Sequence, residues 1–436
     1  MAVTTTATLT EAMQTYYDNR FLAHYKDMIV VQDQGQKRPI PRNAGKTIDF
    51  FRYHPYDLVT STGTEGTVGT EVATEAMNLT ATLVIYKNYT KISEFLELTS
   101  RDKNLENIVD LMAQNAAESL EWVTQEEIAK YGATYIRGDC NATFCFEFTT
   151  KGGVKTFGGT TSLRSSKFIA ATGPFGATDD VAIGAVVTIL KGPNYGQARI
   201  VSDHDDGESA LVWETAMVET NSVATVQAGT KEQKGYFCFF RENGAGLSSS
   251  QSHPGGYPGG TGTNDRGILQ GFQFRAIQKA CEMLEKAGAP KFNDNMYHGV
   301  IDPVCKRQLM TDSTVVGYLQ NSRPRKLEKN QIGEIGGVMW YSTTMPMRLI
   351  GGHAVFANAT HISRTSGKIY VTWVFGKNAF GVVDLGGKRQ KIHVKKPGAQ
   401  SVSVPLNEYS TVGWKAYYVC KALNATYAVA IVTYQA

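Results

Sequence analysis

Three short stretches of this 436-residue chain hold side chains of the types and spacings that chemistry uses. Gly45-Lys46-Thr47 is the tail of a phosphate-binding loop, in which backbone amides and a lysine surround phosphates. Position 40 is Ile where that loop needs its first glycine, and the stretch leads into a strand pattern rather than a helix. Asp203, His204, Asp205 and Asp206 offer oxygen and nitrogen ligands, but adjacent residues in a turn diverge, and Gly207 fits an ordinary turn, so a turn is the expectation. Arg137-Gly138-Asp139 matches an integrin-binding tripeptide and falls at the exit of a predicted helix. No G-x-S-x-G or H-E-x-x-H is present, and the eight histidines are dispersed. Cys140, Cys145, Cys238, Cys281, Cys305 and Cys420 form no C-x-x-C pair, and we read them as reduced thiols serving mostly as small apolar fillers. Asn78, Asn88, Asn141, Asn358 and Asn424 open N-x-[ST] sequons, which carry meaning only in a secreted chain. Neither an enzyme nor a metal or cofactor protein is expected.

The elements must therefore carry the function. A chain of this length can bury a sizeable core and divide into two or three compact units. Hydrophobic residues at 42% exclude wholesale disorder, and charged residues at 19% fall below the roughly 25% of an average domain. Apolar runs such as Val181–Leu190 are far short of the ~20 residues that span a bilayer. The first residues show neither a basic nor an apolar leader region, so a soluble, non-secreted protein is expected. Charge is uneven. Residues 1–139 hold 13 basic and 19 acidic side chains (−6), residues 140–264 hold 9 and 11 (−2), and residues 265–436 hold 22 and 10 (+12). The basic section is expected to face either a polyanion or acidic surfaces of neighbouring copies.

Along the chain, Thr10–Asp27 reads as an amphipathic helix with Met13, Tyr16, Tyr17, Phe21 and Tyr25 near helical spacing. Pro39 and Pro41 then force extended backbone, so this segment resembles an arm. Ile48–Tyr53 and Leu79–Ile85 alternate like strands around a polar, Gly-rich tip, Ser61–Thr70, and predict a long hairpin in need of a partner surface. Lys103–Tyr131 reads as one long helix with an apolar stripe of Leu105, Ile108, Met112, Ala116, Leu120 and Val123, stopped at Gly132. Residues 140–262 hold 19 of the 43 glycines and short β runs at Val186–Leu190, Ala198–Ser202, Ala210–Thr215, Ser222–Gln227 and Tyr236–Phe240. An inserted all-β module is expected there, ending in a Gly- and Pro-rich linker. Beyond it come a helix at Phe272–Ala287 stopped at Gly288, a strand at Tyr297–Ile301, and Asp302-Pro303 as N-cap and first helical residue. Strands follow at Ile369–Phe375, Phe380–Asp384, Gln390–Val394, Ala416–Val419 and Ala428–Thr433.

Several segments together resemble the major capsid proteins of tailed bacteriophages, nearest to the coat-protein family typified by phage N-four. They are Thr15–Asp18, Gly35–Pro41, Gly45–Phe50 with Arg52-Tyr53, Thr64–Gly66, Ala81–Leu98, Ile332–Val338, Phe375–Gly387, Pro405–Asn407 and Thr411–Ala416. This resemblance covers about 1–135 and 265–436. It implies an α+β fold of the Hong Kong phage capsid type, with an N-terminal arm at 1–47, an extended loop and flanking peripheral-domain strands at 48–101, and a spine helix at 102–139. An inserted β-rich domain would occupy 140–264, an axial domain 265–370, and C-terminal strands completing the peripheral domain 371–436. The β-rich segment has no match in the family core, and no acidic helical scaffolding segment is seen at the N-terminus.

On that reading the chain is a structural shell subunit, self-assembling as pentamers and hexamers into an icosahedral virion capsid around double-stranded DNA in the host cytoplasm. Portal, scaffolding and decoration proteins would be its partners, and no membrane. Lys37, Arg38, Thr64, Glu65 and Gly66 are candidate subunit contacts; Gly333, Gly336, Gly337, Gly413 and Trp414 are candidate packing and turn positions. The alternatives are a nanocompartment shell around cargo enzymes and a β-rich carbohydrate-binding or adhesive protein.

Overall fold

A computed structural model describes residues 10–41, 43–53, 76–99, 104–138, 145–150, 167–169, 186–191, 195–200, 203–205, 210–212, 233–238, 271–312, 331–343, 345–349, 362–363, 369–385, 390–395 and 409–434, with Tyr56, Thr62, Glu65, Thr74 and Val315. Its N-terminal part runs α1 (Thr10–Met28), a short 3-10 turn (Gln32–Gln34), β1 (Gln36–Lys37), β2 (Thr47–Tyr53), β3 (Ala76–Thr82), β4 (Val84–Ser93), α2 (Glu94–Thr99), α3 (Asn104–Tyr131) and β5 (Thr134–Arg137). Then come β6 (Cys145–Thr150), β7 (Lys167–Ile169), β8 (Val186–Lys191), β9 (Ala198–Ile200), β10 (Asp203–Asp205), β11 (Ala210–Val212) and β12 (Gln233–Cys238). The C-terminal part holds α4 (Phe274–Lys286), β13 (Tyr297–Ile301), α5 (Pro303–Thr311), β14 (Gln331–Ile335), β15 (Val338–Ser342), β16 (Arg348–Leu349), β17 (Ile362–Ser363), β18 (Ile369–Phe375), β19 (Phe380–Asp384), β20 (Gln390–Lys395), β21 (Tyr409–Ala422) and β22 (Ala428–Tyr434). The architecture is α+β.

Two sheets organise the described core. In one, the 14-residue β21 pairs antiparallel with β4 along one edge and with β19 and β20 along the other, and β1 adds parallel to β19. The other has eight strands in the order β14-β15-β13-β18-β16-β17, with β22 on the far edge of β18 and β5 parallel to β22. β18 and β22 thus share a sheet with β13–β15, and the 370/371 division drawn from sequence falls inside β18. Within the 140–264 segment, β6-β12-β8-β9 and β10-β11-β7 make two small antiparallel sheets. Val186, Ala198, Tyr236 and Cys238 belong to the same continuous apolar core as α3 and the eight-stranded sheet. The strand expected at Ser222–Gln227 lies outside the described residues.

α3 spans about 42 Å at 1.5 Å per residue and packs on α1 and β21. Its buried line is Leu105, Val109, Ala113, Ala116, Ala117, Leu120, Glu121, Thr124 and Ile128. This corrects the expected stripe: Ile108, Met112 and Val123 lie on its flank and are only partly buried. Three alanines lie on this line, where small side chains let neighbouring elements approach the helix closely. Gly132 ends the helix, its N–H donating to the carbonyl of Ile128 at 2.8 Å. Asp302 caps α5 through Val304 N at 2.6 Å, ahead of Pro303 as expected.

Three further expectations change. Asp203–Asp205 form β10 rather than a turn, because their backbone is taken up in antiparallel pairing with Ala210–Val212. The thiols are not uniformly reduced: Cys238 is disulfide-bonded, and backbone pairing sets it opposite Cys145. Cys281, Cys305 and Cys420 are free, the last two buried. The base of the β2–β3 hairpin does find cover in its own chain, because Phe50, Met77, Leu79 and Ala81 on one face pack with Ile40, Val383 and Leu423. No helix among the described residues is long and apolar enough to cross a membrane.

Candidate assembly surface

The arm is tied to α3 at two points. Tyr17, Phe21 and Tyr25, four residues apart, bury one face of α1, and Arg20 on its flank reaches α3 with a forked guanidinium. Arg20 donates to Asp110 from Nε at 2.8 Å and Nη2 at 2.6 Å, and to Glu106 from Nη1 at 2.6 Å. The hydrogen bonds from Arg20 hold the Asp110 carboxyl below the usual carboxylate range. After α1 the chain turns at 30–32, and its backbone amides converge on Glu121, which is fully buried. Oε1 accepts from Val30 N at 3.2 Å and Val31 N at 2.6 Å, and Oε2 from Gln32 N at 3.1 Å. Tyr25 donates its hydroxyl proton to the Gln32 side chain at 2.8 Å and closes the joint. Burial pushes the Glu121 carboxyl up to about 7, against the downward pull of the three amides.

Past this joint the chain crosses to the hairpin. Lys37 pairs with Asp33 at 2.6 Å; Arg38 donates to the carbonyl of Asp49 at 3.0 Å, with its guanidinium 5.7 Å from the Phe50 ring centre. Both candidate contact residues are exposed and held by their own chain. Arg52 anchors the hairpin from beneath. Its Nη1 donates to the carbonyls of Gly196 at 3.0 Å and Leu423 at 2.8 Å, joining the hairpin, the β-rich segment and the end of β21. Desolvation lowers its pKa to about 10.

Exposed apolar side chains gather in this part of the chain. Phe51 and Tyr53 on β2 expose 59% and 65% of their surface, Ile85 and Tyr89 on β4 54% and 65%, and Phe95 on α2 77%. Tyr16, Tyr56, Val84, Leu96 and Leu111 complete the set, so every exposed large hydrophobic among the described residues lies between positions 16 and 111. Isolated exposed apolar side chains are ordinary; their confinement, among the described residues, to one stretch of chain is not.

Of the remaining candidates, Glu65 is exposed, and Thr64 and Gly66 lie outside the described residues. Gly336 and Gly337 make the β14–β15 turn with φ of +68° and +81°, values that L side chains avoid. Gly333 sits at φ +132° beside the register shift of the same pair. At Gly413 a Cβ would meet that of Tyr89 at 2.6 Å, so β4 and β21 approach closely there. Trp414 is 4% exposed and donates Nε1–H to Asn115 of α3 at 3.0 Å, bolting β21 to the helix. Glu121 and Arg52 escaped the sequence reading. The four-residue register Leu105, Val109, Ala113, Ala117 leads directly to Glu121, and a carboxylate on a buried line was the available signal. Arg52 carried no such signal, because its carbonyl partners lie 144 and 371 residues away.

No protein-family profile matches this chain, and no curated protein does. Among solved structures it is similar to the capsid of cyanophage P-SCSP1u, at 13% identity over 93% of this chain and 88% of that one, with a TM-score of 0.46. It is similar to the capsid of Ralstonia phage GP4 at 12% identity over the same shares, also at 0.46. It is similar to a virus-like particle from Pyrococcus furiosus at 7% identity over 96% and 99%, at 0.39.

Proposed function

We propose that this chain is a major capsid protein: a structural subunit that assembles through its N-terminal third into an icosahedral shell of the Hong Kong phage type. The observation that carries the reading is the confinement, among the described residues, of exposed large hydrophobics to positions 16–111, on elements locked to a sealed body by Glu121, Arg20 and Arg52. A rigid root with an apolar outer face suits a protein that laps onto neighbours. Heterologous contacts repeated around a ring close into capsomers, and each covers apolar surface that a lone subunit leaves in water. The element order fits as well: arm, hairpin, return strand, then one helix of about 42 Å as a stiff rib. Portal, scaffolding and decoration partners, a double-stranded DNA genome, assembly in the host cytoplasm and the axial and peripheral division are the finer parts of this proposal. The full chain, purified alone, is expected to form rings, tubes or closed shells by negative-stain electron microscopy and to elute early from a sizing column. A monomer across salt and protein concentration would overturn the reading.

A further inference from the structure

The register of β4, β21 and β20 assembles a basic face that no single segment of the sequence displays. Residues paired across strands point to the same side of a sheet. One rung is Lys87, Lys415 and Lys391; the next is Tyr89, Gly413 and His393; the third is Lys91, Thr411 and Lys395. Lys87, Lys91, Lys391 and Lys395 are exposed and Lys415 half-exposed, while the reverse face buries Ile392, Val412, Trp414 and Ala416. With strands ~4.8 Å apart and same-face residues ~7 Å apart, the five lysines fall within an area of about 14 by 10 Å. None of them pairs with a carboxylate among the described residues. Instead Lys91 lies 4.6 Å from the Tyr409 ring centre and Lys415 4.8 Å from that of Tyr417. The carboxylate of Asp18 on α1 bears on His393 of this face.

Like charges directly opposite on neighbouring strands destabilise a sheet, so three lysines in one rung call for an anion from outside. Several carboxylates among the described residues are already engaged within the chain. Lys37 takes Asp33, Arg20 takes Glu106 and Asp110, backbone amides take Glu121, Lys130 takes Glu126, and Lys421 takes Glu127. Lysine is a point charge without the fork that reads base edges, and between the two lysine rungs Gly413 leaves the middle strand without a side chain, flanked by the exposed Tyr89 and His393. We propose that the β4–β21–β20 face binds the phosphate backbone of nucleic acid without sequence preference. This deepens the shell reading and rests on it only for biological context.

The test uses the full chain, held unassembled by dilution and checked on a sizing column, with a labelled DNA duplex of about 30 base pairs and fluorescence anisotropy. If all five lysines reach phosphates, log K should fall against log salt with a slope of about −4.5. The triple variant Lys87→Gln, Lys391→Gln and Lys415→Gln should lose about 3 of that slope and bind at least about tenfold more weakly at low salt. Lys91→Gln with Lys395→Gln should lose about 2. Thermal melts establish that the variants fold, and relief of repulsion should leave them at least as stable. Wild-type binding to DNA that the triple variant retains unchanged would overturn the inference, as would absent wild-type binding. So would loss of particles in the triple variant with DNA binding intact, which would make the face a contact between copies. Particles without DNA binding would sink this inference alone; DNA binding without particles would sink the shell reading alone.

Discussion

Trp340, Trp373 and Phe375 in the C-terminal body expose no more than 2% of their surface, whereas Phe51, Tyr53 and Phe95 in the N-terminal third expose 59%, 65% and 77%. Both regions are regular secondary structure, so the difference lies in what covers the apolar face. In the body, α4 and the eight-stranded sheet cover each other, with Ala276, Ile277, Ala280 and Leu284 fully inside. In the N-terminal third the hairpin rests one face on Ile40, Val383 and Leu423 and turns the other outward. The body should therefore set stability and the N-terminal third should set association, and substitutions in the two regions should have separable effects.

The largest effect on stability is expected in the body. Trp340 is fully buried, edge-on to Phe272, and donates to the carbonyl of Ile335 at 3.2 Å. Trp340→Ala should cost about 3–5 kcal/mol in chemical denaturation. A loss below about 1 kcal/mol would show that this sheet does not govern stability.

Next comes the joint between the two regions. Folding takes up a proton at Glu121 between its ordinary value of 4.5 and about 7, so this carboxyl favours the folded state below that window. Its contribution falls by about 3 kcal/mol as pH rises through it. Asp110 acts the other way and lower: its depressed value adds stability above the ordinary carboxylate range, lost as pH falls through the folded value. Glu121→Gln should flatten the dependence between pH 5 and 8 while leaving that acid limb. An unchanged slope in the variant would remove Glu121 from this role.

A smaller change is expected at Arg20. Its partners are about a quarter exposed, so solvent weakens the pairs, and Arg20→Met should cost about 1 kcal/mol, less in high salt. A loss as large as that of Trp340→Ala would mean that the arm belongs to the body's cooperative unit.

Much of the fold was readable because it is locally encoded. The arm helix, the long helix, Asp302-Pro303 and β13 each announce themselves through periodicity or caps. The rotation of the α3 stripe was not readable, since alanines score weakly as apolar and only the packing of α1 and β21 on the helix shows why Ala113, Ala116 and Ala117 are buried. The assembly surface was half legible. A hairpin with a bare face was expected from the alternating strands, but which face stays bare depends on where Ile40 and Val383 arrive. The lysine rungs were not legible at all. Lys87 and Lys91 belong to the acidic third of the chain, and only strand register brings them beside Lys391, Lys395 and Lys415.

The smallest expected effect on stability accompanies the most direct test of the account. Phe51→Ser with Tyr53→Ser should change folding stability by less than about 0.5 kcal/mol per site, since both side chains already meet water. Sedimentation velocity on the wild-type and double-variant chains, side by side, tests whether that bare face drives association. The account predicts large particles for the wild type and a folded, slowly sedimenting subunit for the variant. Equal particle formation by the two would contradict it.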